Sequence, residues 1–316
     1  LKIMQKNRPF WIFSILFVFL SSTISFAQNS VSEIAEFGRP FLRKFNDSNG
    51  LPSNSIMTLE RDLKGFLWLG AQDGAAFFNG HRWTNITLPN RTISNYVYDI
   101  LAAKDGAIWF GTDGGGVHKF QNGEWQTFDT GKGVISNNIR AIYETFDETG
   151  KSIIWIGTRD GLSRFDGENF QNFDESNGLP KKTVRSIIET ADKSLWIGTT
   201  DGIAVWKGNE KRIFDKESGF PFKTVFALLE TGENIVWAGT DGGLAKFENG
   251  AWTTFEKEKL PATGVRTLGK SFDFKGEETI WVGFDGQGLS YFQNGIWRNL
   301  NEKNGLENNL VFALED

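Results

Sequence analysis

Short apolar pairs and a tryptophan-centred motif recur along most of the chain, separated by polar turns. The motif has the form Trp-x-Gly and precedes a turn rich in Thr, Asp and Gly; its six copies lie at Trp68, Trp109, Trp155, Trp196, Trp237 and Trp281. Successive copies are 41, 46, 41, 41 and 44 residues apart. A period in the forties is typical of propellers and solenoids, and four strands per propeller blade fit this length.

Each repeat predicts four strands in the same order. The first strand has two apolar residues three positions apart, such as Val184 and Ile187, and the second carries the Trp-x-Gly motif. The third ends at a tight turn such as Asn122-Gly123, whose residues tolerate the positive φ angles of a hairpin, and the fourth is aromatic. The predicted fold class is therefore all-β, a β-propeller of four-stranded antiparallel blades.

The tryptophans and glycines of the motif are interpreted as packing residues. A Trp in the second strand can fill space between two sheets, and the Gly two residues later lets the next sheet approach closely. The strands also lack a clean in–out alternation, as expected when neighbouring blades cover both faces of each sheet. The six tryptophans are thus assigned a structural role.

Six complete blades and parts of a seventh are predicted. Residues 41–52 match the end of a later repeat, residues 170–180, and residues 305–314 match the start of a further one. Closing a ring with strands from both chain ends removes exposed sheet edges. We therefore expect a truncated seven-bladed propeller over residues 41–316, incomplete at its C-terminus and without the two middle strands of the seventh blade.

The first 27 residues have the pattern of a secretory signal peptide, followed by a linker at residues 28–40. Lys2, Lys6 and Arg8 precede a mostly apolar stretch at residues 10–20, and Ala27 ends a small-x-small cleavage site. A membrane anchor is the less favoured interpretation, because spanning a bilayer takes roughly 20 apolar residues. The chain is therefore expected to be exported to the periplasm.

Composition excludes several kinds of chemistry. The formal net charge is −5, so the chain should repel nucleic acid, and the absence of cysteine excludes disulfides and thiolate metal sites. His81 and His118 lack metal-ligand spacing, and the carboxylates recur with the repeat instead of forming one acid–base pair. We predict no catalytic residues, no metal site and no cofactor.

One position of the repeat varies in a way that indicates a ligand. Directly after the first apolar residue of each first strand stand Met57, Tyr98, Arg140, Arg185, Phe226, Arg266 and Phe312. If these residues line a central channel, three cations among aromatic groups would suit an acidic or sugar ligand through charge-assisted hydrogen bonds and ring stacking. Packing between blades, or exposure to solvent, is the alternative. The candidate ligand-binding residues are Tyr98, Arg140, Arg185, Phe226 and Arg266, with Arg159 and Asp160 from a loop on the same face.

The repeat resembles the two-component regulator propeller repeat. The resemblance rests on Gly-Leu-Pro before an apolar strand and on Trp-x-Gly-Thr-x-x-Gly after it, as in residues 178–202, and on Phe-x-Gly, as in residues 165–167; it covers residues 41–316. It implies the extracytoplasmic sensor of a hybrid histidine kinase anchored in the inner membrane, with a second propeller, an Ig-like module, a membrane helix and a kinase downstream. No kinase activity is expected in these residues.

Three functions follow from this pattern. The leading hypothesis is a sensory propeller that binds an oligosaccharide or an acidic small ligand, with a homodimer as a further possibility. The second is a secreted lyase or hydrolase, which needs a cluster of His, Tyr, Arg or carboxylate groups that breaks the repeat. The third is a secreted interaction scaffold. Fold alone does not decide among them.

Overall fold

The computed structural model describes residues 44–89, 95–181, 183–232, 234–255, 260–273, 275–293, 295–303, 305–306 and 308–315. The predicted signal peptide, the linker and the first residues of the predicted propeller domain lie outside the described residues.

The described residues form six four-stranded antiparallel sheets, each with its strands in sequence order, and each sheet is one blade. Blade one contains β1 Ile56–Arg61, β2 Leu67–Ala71, β3 Gly74–Phe78 and β4 Trp83–Ile86. Blade two contains β5 Val97–Ala102, β6 Ile108–Thr112, β7 Val117–Gln121 and β8 Glu124–Phe128. Blade three contains β9 Ile139–Phe146, β10 Ser152–Thr158, β11 Leu162–Phe165 and β12 Phe170–Phe173.

The second half of the chain repeats the same arrangement. Blade four contains β13 Val184–Glu189, β14 Leu195–Thr199, β15 Gly202–Lys207 and β16 Glu210–Phe214. Blade five contains β17 Val225–Glu230, β18 Val236–Thr240, β19 Leu244–Glu248 and β20 Ala251–Phe255. Blade six contains β21 Val265–Phe272, β22 Glu278–Phe284, β23 Leu289–Gln293 and β24 Ile296–Leu300. The predicted all-β propeller of six four-stranded antiparallel blades is confirmed.

The turns between third and fourth strands use two solutions. Asn122-Gly123 and Asn249-Gly250 are two-residue loops in which both residues have positive φ. Blades one and three have longer loops, in which the side chains of Asn79 and Asp166 accept hydrogen bonds from backbone N–H groups two and three residues later. Both solutions reverse the chain within a few residues, as the Asn-Gly and Asp-Gly pairs predict.

The apolar core consists of layers between adjacent blades. In one layer, Trp109 and Phe128 of blade two pack with Ile154 and Phe165 of blade three. A Cβ atom added at Gly70 would lie 2.7 Å from Cγ1 of Val97 in the next blade. The glycine of the Trp-x-Gly motif therefore permits the close approach of the next first strand, as its spacing indicates.

The predicted parts of a seventh blade do not form a sheet in the described residues. The C-terminal segment, residues 308–315, has one isolated bridge to blade six, between Asp285 and Leu310, and Phe45 lies outside any strand. In blades one to six the first strand pairs with the second strand of its own blade. The physical reason for the difference is that no second strand is available to the C-terminal segment among these residues.

Candidate functional site

The first strands of the blades surround a central cavity of about 580 Å³. The varying position of the repeat contributes one lining residue from each first strand and one from the C-terminal segment, which are Met57, Tyr98, Arg140, Arg185, Phe226, Arg266 and Phe312. We call these the channel residues. The sequence-predicted residues Tyr98, Arg140, Arg185, Phe226 and Arg266 meet around this one space, where several of them also contact side chains of a neighbouring blade.

A β-bulge in each blade gives the channel residues their orientation. In blade one, Ile56 lies opposite Ala71 and Thr58 lies opposite Gly70, so Met57 is the extra residue on the first strand. The same shift skips the corresponding residue in the other five blades. A bulge disrupts the ladder locally and re-aims a side chain. It therefore turns the residue after the first apolar position towards the channel without disturbing the apolar pair.

Arg140 is held by an acid and an aromatic ring. Its Nη2 atom donates to Oδ1 of Asp113 at 3.0 Å, and its Nη1 atom donates to the carbonyl of Ile139 at 2.9 Å. Its guanidinium carbon lies 3.8 Å from the ring centroid of Tyr98, on which Tyr96 stacks with a centroid distance of 4.5 Å. The Arg140 side chain is only 9% exposed and that of Asp113 is 35% exposed, so the ion pair is partly shielded from water.

Arg266 is neutralised in a similar way. Its Nε atom donates to Oδ2 of Asp285 at 3.0 Å, and its Nη2 atom donates to the same oxygen. Its guanidinium carbon lies 4.1 Å from the ring centroid of Phe226. The Arg185 guanidinium carbon lies 5.3 Å from the same centroid. Phe226 thus contacts two cations, and cation–π attraction helps to hold both guanidinium planes against it.

Arg185 differs from the other two arginines. Its Nε atom is buried and has no hydrogen-bond partner, and no ion pair involves it in the described part of the chain. Burial, followed by the positive charges of Arg140 and Arg266, lowers the pKa of Arg185 from its ordinary value. The group still carries its charge, because arginine does not deprotonate in proteins.

A second set of equivalent positions lies where the second strands end, and of these only Asp285 lines the cavity. In every blade the second strand ends in a Gly-Thr, Gly-Ala or Gly-Phe pair. The next residue donates its backbone N–H to the carbonyl of the residue just before the first strand of the same blade, with N···O distances of 3.0–3.2 Å. We call these the rim residues; they are Gln72, Asp113, Arg159, Thr200, Asp241 and Asp285. Arg159 is exposed, and its charge contributes to the lowered pKa of Arg185.

Asp160, the remaining predicted site residue, is exposed and does not line the cavity. Its backbone N–H donates to Oγ1 of Thr158 at 3.1 Å, which makes it part of the turn after β10. Sequence reasoning missed Asp113, Tyr96 and Asp99 as contributors to the site. Asp113 and Tyr96 lie at turns whose sequences resemble those of the other repeats, so no signal marks them. Asp99 had a signal, because it is the one acid at the third position of a first strand.

Asp99 is a partly buried acid in the wall of the cavity. Its carboxylate accepts hydrogen bonds from the backbone N–H of Ile142 at 2.7 Å, from Oγ1 of Thr58 at 3.1 Å and from the backbone N–H of Ile100 at 3.0 Å. Burial nevertheless raises its pKa to about 6. These donors come from blades one, two and three, so Asp99 links three blades. Both of its carboxylate oxygens accept hydrogen bonds from protein groups.

The described part of the chain offers little else that could act as a metal site or a catalytic histidine. There, no group of three or more His, Asp or Glu side chains could hold a metal ion. His118 is fully buried against Oγ1 of Thr127, and burial lowers its pKa to about 4, whereas His81 is exposed on a hairpin turn. No helix among these residues is long and apolar enough to cross a membrane.

Two stretches of the chain, residues 93–114 and 178–201, match the family model described as two component regulator propeller. The resemblance inferred from the repeats is therefore confirmed. No curated protein matches the sequence.

Solved structures with the same architecture include extracellular domains of signalling proteins from B. thetaiotaomicron. One, described as part of a hybrid two-component system, is 25% identical, has a TM-score of 0.67, and covers 79% of this chain and 34% of its own. Another, described as part of a one-component system, is 20% identical with a TM-score of 0.66, over 82% of this chain and 35% of its own. The chain thus spans about a third of the length of these structures.

A bacterial enzyme shares the fold. Virginiamycin B lyase from Staphylococcus aureus is 15% identical with a TM-score of 0.59, over 78% of this chain and 84% of its own. At this identity the likeness concerns the fold alone.

Proposed function

We propose that this chain is a sensory propeller from the extracytoplasmic part of a two-component receptor, and that its ligand, a saccharide or another small molecule, binds in the central cavity. The observation that carries the proposal is the bulge at each first strand, which directs the most variable position of the repeat into one space. A volume of about 580 Å³ lies within the roughly 300–1,000 Å³ of small-molecule sites.

The comparisons support the receptor part of this proposal. The family model is named for two-component regulators, and a structure 25% identical over 79% of the chain is an extracellular domain of such a system. Export to the periplasm, inner-membrane anchoring, further downstream modules and a homodimer belong to the same proposal. A secreted lyase or hydrolase stays the alternative, since the described lining of the cavity contains tyrosine, arginine and aspartate side chains, although no histidine.

We also propose that the ring is organised as a seven-bladed one. A Cβ added at Gly283 would lie 2.8 Å from Cγ1 of Val311, much as one at Gly70 would lie 2.7 Å from Val97. Val311 thus occupies the position of the first apolar residue of the next first strand. The C-terminal segment would then be the innermost strand of the seventh blade.

The other end of the described chain supports the same arrangement. Phe45 lies 5.2 Å from Phe78 and 5.6 Å from Trp83 between ring centroids. Phe214, in the outer strand of blade four, has the matching contacts with blade five, at 5.1 Å and 5.5 Å. Short 3₁₀ turns, Asp47–Asn49 and Glu175–Asn177, follow Phe45 and the outer strand of blade three alike. Phe45 would therefore belong to the outer strand of the seventh blade.

Ligand binding in the cavity is tested by thermal unfolding of the chain with a panel of neutral and acidic oligosaccharides. At about 100 times Kd, a ligand should raise Tm by roughly 5 to 10 °C, because it stabilises the folded state alone. Met57→Trp should obstruct part of the cavity and reduce the shift, whereas Met57→Leu, of similar volume, should preserve it. A shift that Met57→Trp leaves undiminished, or no shift across the panel, contradicts the proposal.

A further inference from the structure

Arg185 is the channel arginine that lacks a carboxylate partner in the described part of the chain. Asp113 pairs with Arg140 and Asp285 pairs with Arg266, while the buried Nε atom of Arg185 has no acceptor. Arg185 is half-buried, and an ionised group that is partly removed from water without a partner destabilises the folded state. The position is therefore costly for stability, and a ligand that supplies the missing acceptor would offset that cost.

The rim residues explain why Arg185 lacks a partner. Arg140 pairs with the rim residue of the preceding blade, which is Asp113, and Arg266 pairs with the rim residue of its own blade, which is Asp285. For Arg185 the residue in the preceding blade is Arg159 and the residue in its own blade is Thr200. Neither can accept as a carboxylate does, and Arg159 adds a second positive charge at the rim.

Two of the aromatic channel residues, Tyr98 and Phe226, are already engaged by protein groups. Arg140 and Tyr96 both contact the ring of Tyr98, at 3.8 Å and 4.5 Å, and Arg266 and Arg185 both contact the ring of Phe226, at 4.1 Å and 5.3 Å. Ring stacking on a sugar therefore has little free surface at these two rings. A charged group left for ligand binding is the Arg185 guanidinium, a planar fork that matches the oxygens of a carboxylate or a sulfate.

We propose that Arg185, assisted by Arg159, binds the anionic group of an acidic saccharide, carried as a carboxylate or a sulfate ester. This inference rests on the proposed function, because it assumes that the cavity holds the ligand. The carboxylate of Asp99, in the wall of the same cavity, accepts three hydrogen bonds from the protein and forms no ion pair with Arg185. The specificity of the site is then for charge at one end of the ligand.

The test measures Kd by calorimetric titration of the whole chain with matched disaccharides. Galacturonate-, glucuronate- and sulfated-hexose-containing disaccharides are each compared with the neutral disaccharide of the same sugars. At least one acidic member should bind about tenfold or more tightly than its neutral match, since hydrogen bonds to charged groups are the strong ones. Binding by uronates alone or by sulfated sugars alone identifies the anionic group, and either result supports the proposal.

Two rim variants then locate the anionic group. Thr200→Asp places a carboxylate beside Arg185 at the position from which Asp285 neutralises Arg266, and it should weaken acidic-saccharide binding by about tenfold or more. Gln72→Asp makes the same charge change at the rim of blade one, next to Met57 and Tyr98. It should weaken binding by less than about threefold, because solvent and salt screen the more distant charge.

A third variant separates recognition from a structural role. Arg185→Gln should abolish the preference for acidic over neutral saccharides while leaving Tm unchanged or raised, because it removes an unpaired charge. A fall in Tm without loss of the acidic preference would overturn the proposal, and so would acidic binding that Thr200→Asp leaves unchanged. A neutral ligand whose binding Met57→Trp weakens and Arg185→Gln does not affect would overturn this inference alone. Absence of any cavity ligand would overturn the proposed function as well.

Discussion

Arg140, Arg185 and Arg266 occupy the same position of three repeats, yet each has different surroundings. Asp113 and Asp285 neutralise two of them, and the third faces Arg159 and Thr200 across the same geometry. The channel residue and its rim neighbour together set the electrostatics of each segment of the channel. The repeat therefore fixes where each of these side chains lies, whereas the charges that surround it depend on the rim residues nearby.

Glu60 is the side chain whose titration should most affect stability. Burial, followed by repulsion from Glu315, raises its pKa to about 8, although it accepts a hydrogen bond from the backbone N–H of Ala102 at 3.2 Å. Asp99 adds a further repulsive charge. Between pH 4.5 and about 8 the folded chain holds a proton at Glu60 that the unfolded chain releases. The free energy of unfolding therefore falls as pH rises through this window.

Glu60→Gln should raise Tm by roughly 5 °C at pH 9 and change it little at pH 5. The amide keeps an acceptor for Ala102 and carries no charge, so its benefit is present only where the carboxyl would ionise. Thermal unfolding of the Glu60→Gln variant and of the unchanged protein at the two pH values measures the difference in Tm. His118, whose lowered pKa makes stability rise with pH, contributes equally to both proteins and cancels in that difference. Glu217→Gln, on an exposed turn, is the matched control and should show no pH-dependent gain. An equal gain at both pH values would contradict the assignment.

Each first strand combines a bulge with a close contact to the preceding blade. The residue after the bulge lies opposite the glycine of the Trp-x-Gly motif, as Thr58 lies opposite Gly70. A Cβ at Gly70 would meet Cγ2 of Thr58 and Cγ1 of Val97, both at 2.7 Å. Because Thr and Val are β-branched and stiff at χ1, neither can readily move aside. The glycine is thus what permits both the bulge and the blade spacing.

Gly70→Ala should destabilise the protein by about 1–3 kcal/mol, the usual effect of overpacking a core. Gly131→Ala, in the 3₁₀ turn Thr130–Lys132, is the control. Among the described residues its Cβ would meet one atom, the side-chain Oδ1 of Asp129 at 3.2 Å, and no atom of a neighbouring blade. It should change the free energy of unfolding by less than about 1 kcal/mol. Denaturant unfolding measures both variants, and similar effects of the two would show that the glycine of the motif has no special packing role.

The C-terminal segment lies where the ring of blades closes. Along the first strands, each blade packs on the next from β1 to β21. Between blade six and blade one lies the C-terminal segment, with Val311 against Gly283 and Ala313 against the core of blade one. The segment therefore continues the channel wall without a sheet of its own.

A disulfide tests this position of the C-terminal segment. A Cβ at Gly269 would lie 3.3 Å from Cβ of Leu314, close to the about 3.5–4.5 Å of disulfides. Because the chain has no cysteine, Gly269→Cys combined with Leu314→Cys should form one intramolecular bond under mild oxidation. Mass spectrometry after thiol alkylation measures it, with each single variant as control. Free thiols in the oxidised double variant would remove the support for a seventh inner strand.

The repeat pattern predicts most of the architecture. Six motifs at a period in the forties, apolar pairs such as Val184 and Ile187, and turns such as Asn122-Gly123 all act within one blade. A blade is built from about 40 neighbouring residues, so strand order and turn type follow from local pattern and turn chemistry. The same pattern selects the channel residues, because it marks the position that varies between blades.

The electrostatics of the channel follow from contacts between repeats. Arg140 meets Asp113 from 27 residues earlier, Asp99 accepts from Ile142 of another blade, and the ladder shift at Arg185 is set by its pairing with β14. No spacing rule connects these groups, since each contact depends on how two blades pack. Burial and the distances between charges exist only once the chain surrounds the channel, and for this reason the folded ring distinguishes the unpaired Arg185 from its two neutralised counterparts.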